Sequence, residues 1–185
     1  RKPEQKWLVN RALDPPALIV GDQLLGSARE QHIAFVVGKQ LFLFMEPFYL
    51  AAVRPLSDLQ GFFMLARSLV QPDYEFDMGQ RSKDVYKRLR KGIKGDDRDR
   101  LEYAMDRVLA DGDVDLETWV ESVEDTANRV GFIYSDDFPT AREYLEGEPH
   151  PISERSVGDR MRDLIEYSVS DRYLTLRQEL GQTVG

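Results

Sequence analysis

A chain of 185 residues, 42% of them hydrophobic, is long enough to bury a core of its own as one domain. Its formal charge of -8 and pI near 4.9 give no general attraction to nucleic acid or to an anionic membrane. The absence of cysteine excludes disulfides and thiolate metal sites, and the two histidines, His32 and His150, leave little for a histidine-based one.

The N-terminal run Arg1-Lys2-Pro3-Glu4-Gln5-Lys6 is polar and no apolar signal core follows it. Without an initiator Met, the chain reads as a fragment or a processed product. Ala17-Leu18-Ile19-Val20, bounded by Pro15-Pro16 and Gly21-Asp22, predicts a short strand. Ser27, with Glu30 three residues on, fits a capping box for a helix over about 28–45. That helix is apolar nearly all round, as a buried helix is. It should end at Glu46-Pro47, because proline has no N–H for a continuing helix and restricts the residue before it.

A short helix is expected over 48–53, and Pro55 suits the first position of another running to about Val70. After a loop over 71–80 comes a basic stretch carrying Arg81, Lys83, Lys87, Arg88, Arg90, Lys91 and Lys94. Asp97 to Ala110 reads as a helix, and Asp115 can cap the next, which repeats Leu116, Trp119, Val120, Val123, Ala127 and Val130 at helical spacing. Shorter helices are expected near 138–146, 153–168 and 171–180. No run approaches the roughly 20 apolar residues of a membrane-spanning helix. The fold class is therefore mainly α, an α+β domain with a minor strand element near the N-terminus.

Two segments carry a resemblance. Gly38-Lys39-Gln40-Leu41-Phe42-Leu43, preceded by Ile19-Val20-Gly21-Asp22-Gln23-Leu24-Leu25, looks like the strand, turn and Gly-His-Glu-x-x-His helix of a zinc peptidase. Glu124-Asp125-Thr126-Ala127-Asn128, followed by Gly131-Phe132 and Asp136-Asp137-Phe138-Pro139, looks like the later helix that supplies a third ligand. Together they resemble the gluzincins of the HtpX-like peptidase family, over about residues 17–45 and 116–146. Such a domain is also found without catalytic residues at the C-terminal end of some bacterial tetratricopeptide-repeat proteins.

By position, the resemblance puts Lys39 in place of the first zinc histidine, Gln40 in place of the general-base glutamate and Leu43 in place of the second histidine. Glu124 keeps the third ligand, while Asn128 departs from the family's Asp. An ammonium group, a carboxamide and an alkyl chain cannot hold a zinc ion or activate its water. The resemblance thus implies a zincin-like helical domain, about 17–146 with a helical extension over about 150–181, with neither metal nor cofactor. It implies a pseudoenzyme serving as a protein-interaction or scaffold module in the cytoplasm, its partner another protein or the rest of its own chain. Neither nucleic acid nor a membrane span belongs to that reading, and oligomeric state stays open.

In this setting Lys39 would replace the cation and pair with Glu124, since an unpaired buried ion is very costly. The plainer alternative has Lys39 reaching water past an apolar stem. Two other functions stay open: an enzyme with a non-metal site around Lys39, Gln40 and Glu124, or a peptide- or ligand-binding domain that retains a groove.

Other signals have bland explanations. Asp111-Gly112-Asp113-Val114-Asp115 starts like a calcium loop, but Leu116 stands where the sharp turn needs Gly and Ser122 where a bidentate Glu belongs. The basic stretch could dock a phosphate or an acidic partner, although a solvated helix explains it. His32 and His150 read as surface residues. Phe42, Phe44, Phe48, Tyr49, Phe62 and Phe63 read as core aromatics, and any left exposed would form a binding patch.

Overall fold

In a computed structural model, the described residues are 9–11, 17–19, 29–71, 73–74, 76, 79–110, 112 and 114–182. The chain is mainly helical. Backbone contacts divide it into two compact units, one formed by the residues up to Val53 together with those from Glu117 onward, the other by Arg54–Leu116. The expected core of 17–146 cuts across that division. A short antiparallel pair, β1 (Val9–Arg11) and β2 (Ala17–Ile19), places Asn10 opposite Leu18.

In the first unit, α1 (Glu30–Leu43) and α2 (Glu46–Val53) meet at a bend of 107°. Pro47 explains the break. Its ring would clash with the carbonyl of Leu43 in a continuous helix, whereas in the first turn of α2 its missing N–H is not needed. The expected cap at Ser27 lies outside the described residues. The cap observed is Arg29, whose side chain makes no capping bond, so the helix begins two residues later than the periodicity suggested.

The unit is built around α6 (Leu116–Ser135), α7 (Phe138–Gly147), α8 (Val157–Ser168) and α9 (Asp171–Glu179), which in chain order follow α3 (Leu56–Val70), α4 (Gln80–Gly92) and α5 (Asp96–Ala110) of the second unit. Their starts are set by local chemistry. Asp137 accepts from Thr140 N at 3.0 Å with Pro139 in the first turn, Ser156 accepts from Asp159 N at 3.1 Å, and Ser170 accepts from Tyr173 N at 3.2 Å. Asp136, in the left-handed region at φ 48°, turns the chain from α6 into α7. Its carboxylate accepts from Arg177 Nη2 at 2.6 Å and from the Tyr173 hydroxyl, which ties that corner to α9.

The core joins Phe35 and Val36 of α1 to Phe132 and Ile133 of α6, Ala141, Tyr144 and Leu145 of α7, Leu164 of α8 and Tyr173 of α9. The aromatics expected there are elsewhere. Phe42, Phe44, Phe48, Tyr49 and Phe63 are half-buried and Phe62 is exposed, with Phe42 stacked on Phe48 at 4.6 Å and Phe44 on Tyr49 at 6.2 Å. Around Phe42, Phe44, Phe48 and Tyr49 the run is apolar on nearly every side and gives no periodic signal of which side faces in, so hydrophobicity alone does not place them.

The second unit holds α3 (Leu56–Val70), α4 (Gln80–Gly92) and α5 (Asp96–Ala110). Pro55 is the cap of α3 rather than its first residue. Leu59, Leu65, Leu69 and Met105 are buried apolar side chains of this unit.

Helix α1 crosses α6 at a pair of glycines. A Cβ at Gly38 would lie 3.2 Å from Gly131 Cα and 2.8 Å from a ring carbon of Tyr134, and a Cβ at Gly131 would lie 2.6 Å from the carbonyl oxygen of Phe35. The second obstacle is main chain, which cannot rotate away. Gly131→Ala is expected to destabilise the fold by about 1–3 kcal/mol, in the range of overpacked cores. Chemical denaturation checks this, with Gly61→Ala, at a helix position where a Cβ would meet nothing within 4 Å, as a variant that should not be destabilised.

Candidate functional site

The residues singled out by sequence converge on the inner side of α1. Lys39 and Glu124 are both 0% exposed, and Gln40, Leu43 and Asn128 are buried with them. The carboxylate that meets Lys39, however, is Glu148, at the C-terminal cap of α7. Lys39 Nζ donates to Glu148 Oε1 at 2.7 Å. Glu148 Oε2 accepts from Arg160 Nη1 of α8 at 2.9 Å, and the same Nη1 lies 3.4 Å from Glu124 Oε1. Four charges, two of each sign, therefore alternate from α1 to α6.

The expected partnership of Lys39 with Glu124 is corrected by this arrangement. The oxygens of Glu124 are engaged from the loop after α7: Ile152 N donates to Oε1 at 3.0 Å, Ser153 N donates to Oε2 at 3.3 Å, and the Ser153 hydroxyl donates to Oε2 as well. Two main-chain donors, one hydroxyl and one guanidinium satisfy a buried carboxylate as completely as a metal ion would. The loop is thereby fastened to the centre of α6.

Tyr144 lines the other side of the network. Its hydroxyl donates to Glu148 Oε1 at 3.3 Å, a side-chain hydrogen bond joins it to Gln40, and Lys39 Nζ stands 5.2 Å from the centre of its ring. Burial, and then the nearby Glu148 carboxylate, hold this phenol well above its ordinary value, so it stays a neutral donor. His32 is also inside, edge-on to Tyr144 at 6.3 Å, which corrects its expected place on the surface. Burial above all lowers its pKa, with Arg29 in the same direction and Glu143 opposing. His150 is exposed.

A second charged group lies beside the first on α6. Asp125 accepts from Arg155, while Arg129 Nε donates to Asp163 of α8 at 2.8 Å. Burial, followed by the like charge of Asp163, raises Asp125 to about 6, against the pull of Arg155 and Arg129; Glu124 adds a smaller upward push.

Sequence reasoning missed Glu148 and Arg160. Arg160 did leave a trace, because Val157, Arg160, Met161 and Leu164 stand at i, i+3, i+4 and i+7, which places a cation on the apolar face of α8. Glu148 left none that separates it from any acid before a proline-rich turn.

The site is closed. The side chains of Lys39, Glu148, Arg160 and Glu124 are each no more than 6% exposed. A groove of about 670 Å³ follows another face of α1, lined by Ile33, Ala34, Val37, Leu41 and Tyr134 and none of these four. Among the described residues, no three His, Asp or Glu side chains form a group that could hold a metal ion. No known family, curated protein or solved structure matches the chain.

Two outcomes follow from the geometry. Lys39→Met strands part of a buried negative charge and should destabilise by roughly 3–5 kcal/mol. In double-mutant cycles, Lys39→Met with Glu148→Gln should show a coupling of about 1–3 kcal/mol, larger than Lys39→Met with Glu124→Gln. Additivity in the first cycle would contradict the shared carboxylate.

Asp125 sets a pH dependence of opposite sign to that of an ordinary salt-bridged acid. The folded chain holds its proton up to about pH 6, whereas the free carboxyl loses it near 3.8. The folded state therefore binds more protons between these values, and this group's contribution to stability falls as pH rises through them. Against Asp125→Asn, the wild-type chain should become progressively less stable from pH 4 to pH 6.5. Equal slopes in thermal unfolding would refute the assignment.

Proposed function

We propose that this chain is a catalytically inactive, zinc-peptidase-like module that acts as a protein-interaction or scaffold domain. The observation that supports the reading is the sealed ion pair of Lys39 with Glu148, since by the resemblance Lys39 stands for a zinc ligand. A hydrolytic metal needs a vacant coordination position reached by water and substrate. Here the space beside Gln40 is taken by an ammonium group, a carboxylate and a phenol that satisfy one another.

The same closure counts against a non-metal active site at Lys39, Gln40 and Glu124. A base or nucleophile has to come within hydrogen-bond reach of the group it attacks. Lys39 is fully buried and Glu124 is held by three donors of one loop, Ile152 N, Ser153 N and the Ser153 hydroxyl. The finer assignment to a zincin-like fold is part of this proposal and rests on the order of the two motifs and the crossing of their helices at Gly38 and Gly131.

Metal analysis of the purified chain tests the reading. The expected result is far less than one zinc per chain after dialysis against added zinc. Stoichiometric zinc, lost together with peptidase activity on chelation, would replace the scaffold reading by an active enzyme.

A further inference from the structure

Helix α4 is sharply two-sided. Ser82, Tyr86, Leu89 and the following Ile93 stand at helical spacing and are half-buried, which identifies the inward side. Lys83, Lys87, Arg90 and Lys91 stand at i, i+4, i+7 and i+8 on an exposed side, and Lys94 continues the row just past the helix end. Within α4 six Lys and Arg accompany a single acid, Asp84. Among the described residues, no ion pair engages Lys83, Lys87, Arg88, Arg90, Lys91 or Lys94.

This concentration runs against the rest of a chain whose net charge is -8. Like charges at i, i+4 destabilise a helix by a few tenths of a kcal/mol each, so the row opposes the helix that displays it. Only Arg90 and Lys91, in the last turn, gain from the helix dipole.

We infer that the exposed face of α4 is a docking surface for a short acidic segment of a partner protein. It rests on the interaction half of the proposed function and not on the degenerate metal site. The extent of the row favours this occupant. From Lys83 to Lys91 the cations span about 12 Å along the axis, two turns of helix. Directly beyond Lys94 and Gly95, the first turn of α5 exposes Asp96, Asp97 and Asp99. A duplex or a bilayer presents anionic groups well past the end of the row and would meet those acids, whereas a short acidic peptide stops before them. Tyr86, the one aromatic of α4, is half-buried, so the helix offers no stacking platform for single-stranded nucleic acid.

The test is fluorescence anisotropy with the full chain and a labelled helical peptide carrying glutamates along one face. Binding should weaken with added salt. Lys83→Glu with Lys87→Glu should lower affinity by roughly tenfold or more. Arg100→Glu with Arg172→Glu changes the net charge equally from exposed positions off the row and should lower it by no more than about twofold, within the small effect of remote surface charges. Circular dichroism confirms that both variants remain helical.

Absence of binding, or equal losses in the two variants, would overturn the inference. So would duplex DNA or phosphatidylserine vesicles binding as tightly as the peptide with the same sensitivity to Lys83 and Lys87. Self-association abolished by the same reversal would identify a second copy of the chain as the occupant and would overturn it too. Zinc content is measured on the same preparation, so failure here is distinguishable from failure of the degenerate-site reading.

Discussion

The first unit is organised around one carboxylate that two cations share. Glu148 accepts from Lys39 of α1 with one oxygen and from Arg160 of α8 with the other, and Arg160 also faces Glu124 of α6. None of these groups reaches water to any useful extent, so each has to be neutralised by its neighbours. Four elements, one of them 109 residues from the acid it meets, can satisfy that condition in few relative positions. The apolar contacts of Phe35, Phe132 and Leu164 tolerate small shifts, whereas a carboxylate between two cations at 2.7 and 2.9 Å does not. Such a network adds little net stability compared with an apolar core, and its stronger effect is on which packing is selected.

The Gly38–Gly131 crossing belongs to the same constraint. The reach of the Lys39 side chain to Glu148 at the end of α7 fixes where α1 lies, and the two glycines let α1 take that place against α6. With any side chain at Gly131 the carbonyl of Phe35 would be displaced and Lys39 drawn away with it. The close approach and the ion pair therefore depend on each other. On the proposed reading a fixed positive charge on α1, held by Glu148 of α7 rather than by Glu124 of α6, takes the place of a metal ion.

Much of this was legible in the sequence where local chemistry decides it. Pro47, Asp137 with Pro139, Ser156 and Ser170 mark helix ends by hydrogen-bond bookkeeping within four residues, and those boundaries fall within a few residues of expectation. The burial of Gln40, Leu43 and Glu124 was legible too, because α1 is apolar around the first two and Glu124 lies on the apolar face of α6; for Lys39 the sequence left a reach to water equally open. The partner of Lys39 was not. Glu148 is 109 residues away, and nothing within its own turn distinguishes it from an exposed acid. The aromatics around the α1–α2 bend failed for the opposite reason, an excess of apolar neighbours that leaves no period from which to read a face, while His32 follows the exposed Glu30 and Gln31 and carries no local sign of turning inward.

Charge patterning separates the two units by the same physics. In the first, cations and anions are interleaved across helices and partly or wholly withdrawn from water: Arg177 donates to Ile133 O and Asp136, Arg129 to Asp163, Arg155 to Asp125. In the second, α4 gathers cations on one exposed face and the first turn of α5 gathers acids, with Arg98 to Glu102 at 2.5 Å a local pair inside α5. Interleaved charge fixes an interior because every group already has its counter-ion. Segregated charge leaves a field that extends about a Debye length, near 8 Å at physiological salt, beyond the surface. A chain this acidic has no shortage of carboxylates to quench α4, and burying its row against them would have cost desolvation of five cations. Leaving the row at the surface avoids that cost and keeps the attraction available to an external anion, which is the ground on which the inferred docking surface is placed at the exposed face of α4 rather than at the sealed site of α1.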